Sequence, residues 1–286
     1  MKENYDIEDN EVRVVGSGNA PDNGKKRITA IVVATILLVA IVIGIVVFFA
    51  IKSTGNQAPD NNNSDTTQTS KISNTSDKNL TPYIATADTV IDGIELQILT
   101  PINATAELHV GPIDTTDDIL LATQAADLGK GKYDIIGAFV YAGEPLSWGL
   151  SKKGFCAIIN DTITVGVAEN SPLFEQATET EGFFFRQYAA VNNGKMVENN
   201  PKNTSTRRAL CILNNKVCVV TTPNRVIMND FSHALTNLGT SNAIFLVGSS
   251  AHGWYRDNDN KLINMPNSSR WNYNLKNINY IVFRRR

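Results

Sequence analysis

Residues 206–221, TRRALCILNNKVCVVT, carry the clearest signal of the fold. Two runs of apolar and β-branched residues flank the pair Asn214-Asn215. Asparagine tolerates the positive φ that a two-residue hairpin turn requires, so the stretch predicts two antiparallel strands joined by a tight turn. Asn160 and Asp161 lie between two similar runs, and they predict a second hairpin.

Strand-length apolar runs continue on both sides of this hairpin and outnumber the helical patterns. Two helices are predicted, at residues 117–128 and 229–238, the second with Asn229 as its candidate N-cap and Gly239 as its stop. The sequence therefore predicts an α+β fold with a mixed, mostly antiparallel sheet and a few helices. The predicted strands are residues 94–99, 107–110, 135–141, 155–159, 162–167, 188–191, 209–213, 216–221, 243–247 and 280–283.

The segment 28–51, ITAIVVATILLVAIVIGIVVFFAI, contains no charged residue and no proline. A helix of about 20 apolar residues crosses the ~30 Å hydrocarbon core of a bilayer, whereas a soluble helix of this length would show a polar face. The segment therefore predicts one transmembrane helix. A cleaved signal peptide is the alternative, but the apolar run is longer than such a peptide needs and no small-residue cleavage site follows closely.

Charged residues beside this segment predict its orientation. Lys25, Lys26 and Arg27 precede the segment, whereas only Lys52 follows it directly. The positive-inside tendency places residues 1–27 in the cytoplasm as a short tail. The rest of the chain is then expected on the other side, in an extracellular, periplasmic or lumenal space, so the protein is predicted to be a single-pass membrane protein.

The segment after the apolar run, residues 52–82, is dominated by Ser, Thr, Asn, Gln and Asp. It has too few large apolar side chains to offset the entropy cost of ordering, so it predicts a flexible linker. A glycosylated stalk has the same composition and is the alternative. Apolar runs return at Tyr83, and residues 83–286 are predicted to form one exoplasmic domain.

Charge and histidine content exclude several classes of protein. The chain has 286 residues and a formal net charge of −2, and its only basic run after the anchor is the last three residues. Nucleic-acid binding requires a clustered basic face, so no nucleic-acid partner is expected. His109, His233 and His252 are widely scattered, and no Cys/His spacing resembles a zinc site. Neither a metal ion nor a cofactor is therefore expected.

Three cysteines, Cys156, Cys211 and Cys218, lie within predicted strands. An odd number in an exoplasmic domain leaves at least one of them unpaired within a monomer. Cys211 and Cys218 flank the hairpin turn, where they could face each other. Burial of all three as small apolar residues is the alternative.

Arg207 and Arg208 stand where the first strand of the hairpin begins. Arginine makes paired hydrogen bonds to phosphate and carboxylate groups, so these residues form a candidate anion-binding site. Surface ion pairing of both arginines is the alternative.

A second candidate feature follows the apolar strand at residues 243–247. This strand ends in a turn of small residues, GSS at 248–250, and His252 follows two residues after the turn. Such a turn lets a ligand approach backbone N–H groups and places hydroxyl groups at the strand end. Trp254 and Tyr255 could stack on a sugar ring. An ordinary turn beside a core tryptophan is the alternative.

These motifs, in this order, resemble the phosphodiester glycosidase family. In that family a strand reading R-T-A-x-G is followed by a hairpin, a helix ending in L-G, and then n-A-x-x-L-D-G-G-G-S. The counterparts here read RRALC, a hairpin, ALTNLG and NAIFLVGSS, and the stretch 186–194, RQYAAVNNG, is similar to a family segment ending in L-V-x-x-G. The resemblance covers roughly residues 150–255, and Arg207 matches the family arginine.

The chain departs from the family pattern at one position, because the aspartate of D-G-G-G-S falls on Val247. Cleavage of a glycosidic phosphodiester is expected to use carboxylates for proton transfer or nucleophilic attack. Glu144, Asp230 and Asp257 are the candidates to replace the missing aspartate. Either His252 or one of these carboxylates would move the proton.

Together with the predicted membrane anchor, the resemblance implies a cell-surface glycosidase that hydrolyses a sugar-1-phosphodiester or a related glycan-phosphate linkage. A carbohydrate or glycan-phosphate ligand would be bound by Arg207, Arg208, Gln187, Trp254, Gly248, Ser249 and Ser250. One alternative is a non-catalytic glycan- or phosphate-binding module on the same fold, and another is a structural surface protein. The first two hypotheses require Arg207 and Ser249 to meet in one cleft.

Overall fold

The computed structural model describes residues 70–73, 81–270 and 274–285. The predicted cytoplasmic tail and transmembrane helix, at residues 1–27 and 28–51, lie outside the described residues. Within the described ranges, no helix combines the length and the apolar character needed to span a membrane.

The described residues form eighteen strands and two helices, and the strands pair into three sheets. In chain order the elements are β1 (Ser70–Ser73), β2 (Tyr83–Ile91), β3 (Ile94–Ile102), β4 (Thr105–Val110), β5 (Ile119–Gln124), β6 (Phe139–Tyr141), β7 (Glu144–Ser147), β8 (Gly154–Ile159), β9 (Thr162–Val167), α1 (Leu173–Glu179), β10 (Phe183–Gln187), β11 (Ala189–Asn192), β12 (Lys195–Met196), β13 (Arg208–Leu213), β14 (Lys216–Thr221), α2 (Met228–Asn237), β15 (Thr240–Leu246), β16 (Gly253–Arg256), β17 (Leu262–Asn264) and β18 (Asn279–Arg284).

Sheet A has the strand order β1-β9-β8-β10-β6-β7, sheet B has β12-β11-β15-β13-β14-β3-β2, and sheet C has β17-β16-β5-β18-β4. Every strand pair recorded among the described residues is antiparallel. The prediction of a mostly antiparallel fold with a few helices is confirmed. The strands form three sheets rather than one mixed sheet.

The main hydrophobic core takes side chains from all three sheets, for example Phe185 from sheet A, Leu210 from sheet B and Phe283 from sheet C. Neighbouring residues on the same strands belong to outer clusters, in which α2 packs on sheet B and α1 packs on sheet A. In the second of these clusters Phe174 of α1 makes an edge-on contact with Phe184 of β10. Strands buried on both faces have continuous apolar sequences instead of alternating ones.

The predicted helix at residues 117–128 is wrong, because this stretch contains β5. All six residues of β5 are buried, and the strand pairs with β16 and β18. Without a polar face the strand shows no period of two, so its apolar residues are compatible with a helix in the sequence alone. Asp117 and Asp118 pair with Arg256 and Arg284 instead of stabilising a helix N-terminus.

The second predicted helix is confirmed as α2, within one residue at each end. Its N-cap is Ile227 rather than Asn229, whose side chain instead accepts a hydrogen bond from the backbone N–H of Asn199 at 2.8 Å. Gly239 follows the C-cap residue Leu238 with a φ of +91°, the left-handed conformation that terminates helices.

Both predicted hairpin turns are present, and both residues of each turn have positive φ. Cys211 and Cys218 are opposite each other in the register of β13 and β14, as the sequence allowed. These two cysteines and Cys156 are buried free thiols. Burial raises the pKa of Cys211, and its contact with Cys218 adds to that effect.

Strand β1 lies within the segment that the sequence predicts as a flexible linker. Its four residues pair with β9 at one edge of sheet A. Strand addition at a sheet edge relies on backbone hydrogen bonds, so a segment of polar composition can still pair there. Residues 70–73 of the predicted linker therefore pair with the edge of sheet A.

Candidate functional site

The ends of strands from all three sheets converge at one place in the domain. The start of β13 lies beside the end of β15 in sheet B. The backbone N–H of Val247, just after β15, donates to the carbonyl of Gln124 at the end of β5 at 3.2 Å. The N–H of Phe245 donates to the carbonyl of Tyr188 at 2.8 Å, where the chain passes from sheet A into sheet B.

This convergence forms a cavity of about 310 Å³, here called the Arg207 cavity. A neighbouring cavity of about 340 Å³ shares Asp127 and Val247 with it. A third, of about 180 Å³, shares the backbone of the turn at residues 247–249. The candidate site residues that line the Arg207 cavity are Asp127, Gln187, Tyr188, Arg207, Val247, Gly248 and Ser249.

The turn after β15 packs against the residue before Arg207. The N–H of Ser249 donates to the carbonyl of Thr206 at 2.9 Å, and the Thr206 hydroxyl donates to the carbonyl of Ser249 at 3.1 Å. A Cβ atom on Gly248 would lie 2.4 Å from the Thr206 carbonyl oxygen, so only glycine permits this approach. The two separate motifs identified in the sequence thus line one cavity.

Arg207 is held in place by backbone carbonyls. Its Nε donates to Val226 at 3.1 Å and its Nη2 donates to Asn203 at 2.5 Å. Partial burial lowers the pKa of Arg207. No carboxylate in the described part of the chain forms an ion pair with this guanidinium. The protein therefore fixes the orientation of the Arg207 guanidinium without neutralising its charge. This arrangement favours binding of an anion.

Arg208 occupies a different position from Arg207. It is fully buried, and it donates from Nη1 to Ala251 at 2.8 Å and from Nη2 to Pro266 at 3.2 Å. Burial lowers its pKa to about 10. It lines none of the three cavities, so the structure does not bring Arg208 into one cavity with Arg207. Successive side chains in an extended chain point to opposite sides, so Arg208 points away from the Arg207 cavity. Its hydrogen bond to Ala251 supports the turn at residues 248–250 from the buried side.

Asp127 is the carboxylate that the sequence interpretation missed. Among the described residues lining the three cavities, it is the only acidic one. Its Oδ2 accepts a hydrogen bond at 2.5 Å from Nζ of Lys152, which is only 3% exposed. Lys152 also donates to Oε1 of Gln187 at 3.1 Å, and burial lowers the pKa of this lysine.

The sequence does not reveal the position of Asp127, because the pattern at residues 117–128 predicts a helix where the structure has β5. Asp127 follows β5 in a turn, where its carbonyl accepts a hydrogen bond from the N–H of Ile136. Gln187 was selected from the sequence, and the structure places it in the Arg207 cavity. Val247 lines all three cavities, so the position of the missing family aspartate is central to the site.

His252 lies in the smallest of the three cavities and is 4% exposed. Its ring packs edge-on against Tyr280, with Nδ1 3.4 Å from the tyrosine hydroxyl. Burial lowers the pKa of His252 to about 4, and the positive charges of Arg270 and Arg208 contribute further. The imidazole is therefore neutral at pH 7, and its lowered pKa makes it a weak base.

The lowered pKa of His252 predicts that the domain loses stability in acid. Between pH 6.5 and pH 4 the unfolded chain binds a proton at this residue while the folded chain does not. The contribution of His252 to the free energy of unfolding is fully present above pH 6.5 and falls by about 3 kcal/mol by pH 4. Urea unfolding at pH 7 and pH 4 should show a smaller decrease for His252→Gln than for the wild type. Equal decreases would contradict the assignment.

Three further predicted site residues lie away from these cavities. Glu144 is exposed at the start of β7, the edge strand of sheet A, and Asp230 is exposed in the first turn of α2. Trp254 is fully buried on β16, with the guanidinium of Arg256 5.9 Å from its ring, so it cannot stack on a sugar. The structure does not bring these three residues together with Arg207. Ser250 stays in the smallest cavity with His252.

Several solved structures are similar in fold to this chain. The chain is similar to the catalytic domain of zebrafish N-acetylglucosamine-1-phosphodiester alpha-N-acetylglucosaminidase auto-inhibited by its pro-peptide, with a TM-score of 0.53 and 15% identity over 77% of this chain and 88% of that chain. It is also similar to a hypothetical protein from Synechocystis, with a TM-score of 0.47 and 12% identity over 71% of this chain and 62% of that chain. No protein-family model and no curated protein matches the sequence. The first similarity shows a fold like that of a glycosidase domain.

Proposed function

We propose that this protein is a membrane-anchored, exoplasmic hydrolase that cleaves a sugar-1-phosphodiester or a related glycan-phosphate linkage. The observation that carries the proposal is that one cavity is lined by both Asp127 and Arg207, whose guanidinium has no ion-pair partner among the described residues. The similarity of the fold to a domain that acts on such a phosphodiester supports the same substrate class.

In this proposal Arg207 binds the phosphate group of the substrate. The carbonyls of Val226 and Asn203 fix two of its N–H groups, which orients the rest of the guanidinium before substrate arrives. Charge-assisted hydrogen bonds to phosphate are among the strongest that a side chain makes. The Ser249 hydroxyl, in the same cavity, provides a neutral hydrogen-bonding group for phosphate or sugar.

Asp127 acts as the general base. It accepts a proton from a water molecule whose oxygen attacks C1 of the sugar, while the C1–O bond breaks and its electron pair stays on the phosphate oxygen. The products are the free sugar and a phosphate monoester. This leaving group is a stable anion that needs no proton to depart, so a single carboxylate is sufficient. Lys152 orients Asp127 through its buried ammonium group.

A non-catalytic module that binds a glycan phosphate is the second candidate function. Val247 favours it, because an apolar side chain occupies the position that lines all three cavities. Asp127, three residues after the end of β5, lines the same cavity as Val247 and provides a carboxylate there. Turnover of a sugar phosphodiester distinguishes the two functions, since a binding module produces no free sugar.

Replacing Arg207 with alanine tests the proposal. The substrate is the methyl diester of N-acetylglucosamine 1-phosphate, and the measurement is release of N-acetylglucosamine by the full chain. Loss of charged hydrogen bonds worth about 1.5–3 kcal/mol each is expected to lower kcat/KM by about 100-fold. Arg225→Ala removes an exposed arginine that also donates to a backbone carbonyl, that of Thr204, and it should retain activity. Unchanged hydrolysis in Arg207→Ala would refute the assignment.

A further inference from the structure

Tyr188 is an exposed aromatic side chain inside the Arg207 cavity. It is 42% exposed, whereas Phe245, the other aromatic residue lining this cavity in the described chain, is buried. A single exposed aromatic residue is common on a protein surface, but this one lines the same cavity as Arg207. A ligand with both an apolar face and an anionic group could contact the two side chains together.

The backbone of Tyr188 is fixed from both sides. Its N–H donates to Oε1 of Gln187 at 3.0 Å, and its carbonyl accepts the N–H of Phe245 at 2.8 Å. These bonds place the residue at the point where the chain leaves sheet A and enters sheet B. The backbone of Tyr188 is consequently held between two strands, which suits a residue that must hold a ligand in one orientation.

One face of the tyrosine ring is already occupied. Nζ of Lys152 lies 5.0 Å from the ring centroid. Because Lys152 is buried, it approaches the ring from the protein interior. A cation in this position is attracted to the face of the ring. The opposite face is the one that remains for a ligand in the cavity that Tyr188 lines.

We propose that Tyr188 stacks on the sugar ring of a sugar phosphate whose phosphate group is bound by Arg207. This inference rests on the proposed function and specifies its selectivity, because inorganic phosphate has no apolar face to stack. The negative face of an aromatic ring attracts the C–H groups of a sugar, and the tyrosine hydroxyl remains in water. Tyr188 thereby takes the role that the sequence had assigned to Trp254.

The test compares two ligands by isothermal titration of the full chain in a detergent without a sugar head group. Wild type is expected to bind N-acetylglucosamine 1-phosphate about tenfold more tightly than inorganic phosphate. Tyr188→Ala should lose this preference while keeping its affinity for inorganic phosphate, and Tyr188→Phe should retain the preference. Tyr133→Ala, which removes an exposed tyrosine from the neighbouring cavity that lacks Arg207, should also retain it.

Two outcomes would overturn the inference in distinguishable ways. If Tyr188→Ala keeps the tenfold preference while Arg207→Ala loses affinity for both ligands, the stacking role is wrong and the proposed function stands. If neither ligand depends on Arg207, the proposed function fails and the inference fails with it. Thermal unfolding of each variant shows whether a loss of binding arises from a loss of folding.

Discussion

Substitution of Asp127 by asparagine should lower the turnover of a sugar phosphodiester by at least about 100-fold, because removal of a general base typically costs 10²–10⁴ in rate. The amide has nearly the same shape, but it cannot accept the proton of the attacking water. Binding of N-acetylglucosamine 1-phosphate should change much less, since Arg207 supplies the phosphate contact. Single-turnover release of the sugar measures the first effect, and titration calorimetry measures the second.

Glu107→Gln is a matched control for this experiment. The Glu107 side chain is 37% exposed and paired with Arg284, while the Asp127 side chain is 36% exposed and paired with Lys152. Both substitutions remove one carboxylate charge from an ion pair, but only Asp127 lines the Arg207 cavity. An equal loss of turnover in both variants would point to general destabilisation. Full turnover in Asp127→Asn would exclude the general-base role.

Gly248→Ala is expected to have the largest effect on the structure of the site. The added Cβ would lie 2.4 Å from the carbonyl oxygen of Thr206, and backbone atoms cannot move aside as a flexible side chain can. The turn must shift, which breaks the two hydrogen bonds between Ser249 and Thr206. Overpacking of this kind costs about 1–3 kcal/mol. The melting temperature should therefore fall by several degrees.

The same variant should also lose affinity for sugar phosphate, because Ser249 and Arg207 line the cavity from the two segments that are pushed apart. Gly129→Ala is the control for stability, since a Cβ there would meet its nearest atom, the Asp134 carbonyl oxygen, at an ordinary 3.6 Å. Urea unfolding compares the two variants under identical conditions. Wild-type stability and affinity in Gly248→Ala would disprove the close approach.

The candidate site was predicted in part. The sequence identified Arg207, Gln187 and the turn with Gly248 and Ser249, and the structure brings these residues into one cavity. Their residue types carry local signals, since arginine at a strand start and small residues at a strand end are visible without knowledge of the fold. The adjacent Arg208 was selected by the same signal, yet it is buried.

No local pattern in the sequence marks Asp127 or Lys152 as a site residue. They are 25 residues apart in the sequence, and they meet only because β5 and β8 belong to sheets that close on one core. Trp254 illustrates the opposite error, because an aromatic residue near a candidate loop was read as exposed. Its strand is buried on both faces, which removes the alternation that would have shown its orientation.

The sequence by itself determined the hairpin at Asn214-Asn215, helix α2 with its stop at Gly239, and the mostly antiparallel class of the fold. Turn residues and helical periodicity act over a few neighbouring positions, so they can be read from the chain directly. Only the tertiary structure decided that β5 is a strand and that Asp127 joins Arg207 in one cavity. These features depend on contacts between residues distant in sequence, and strands buried on both faces leave no periodic pattern from which such contacts could be derived.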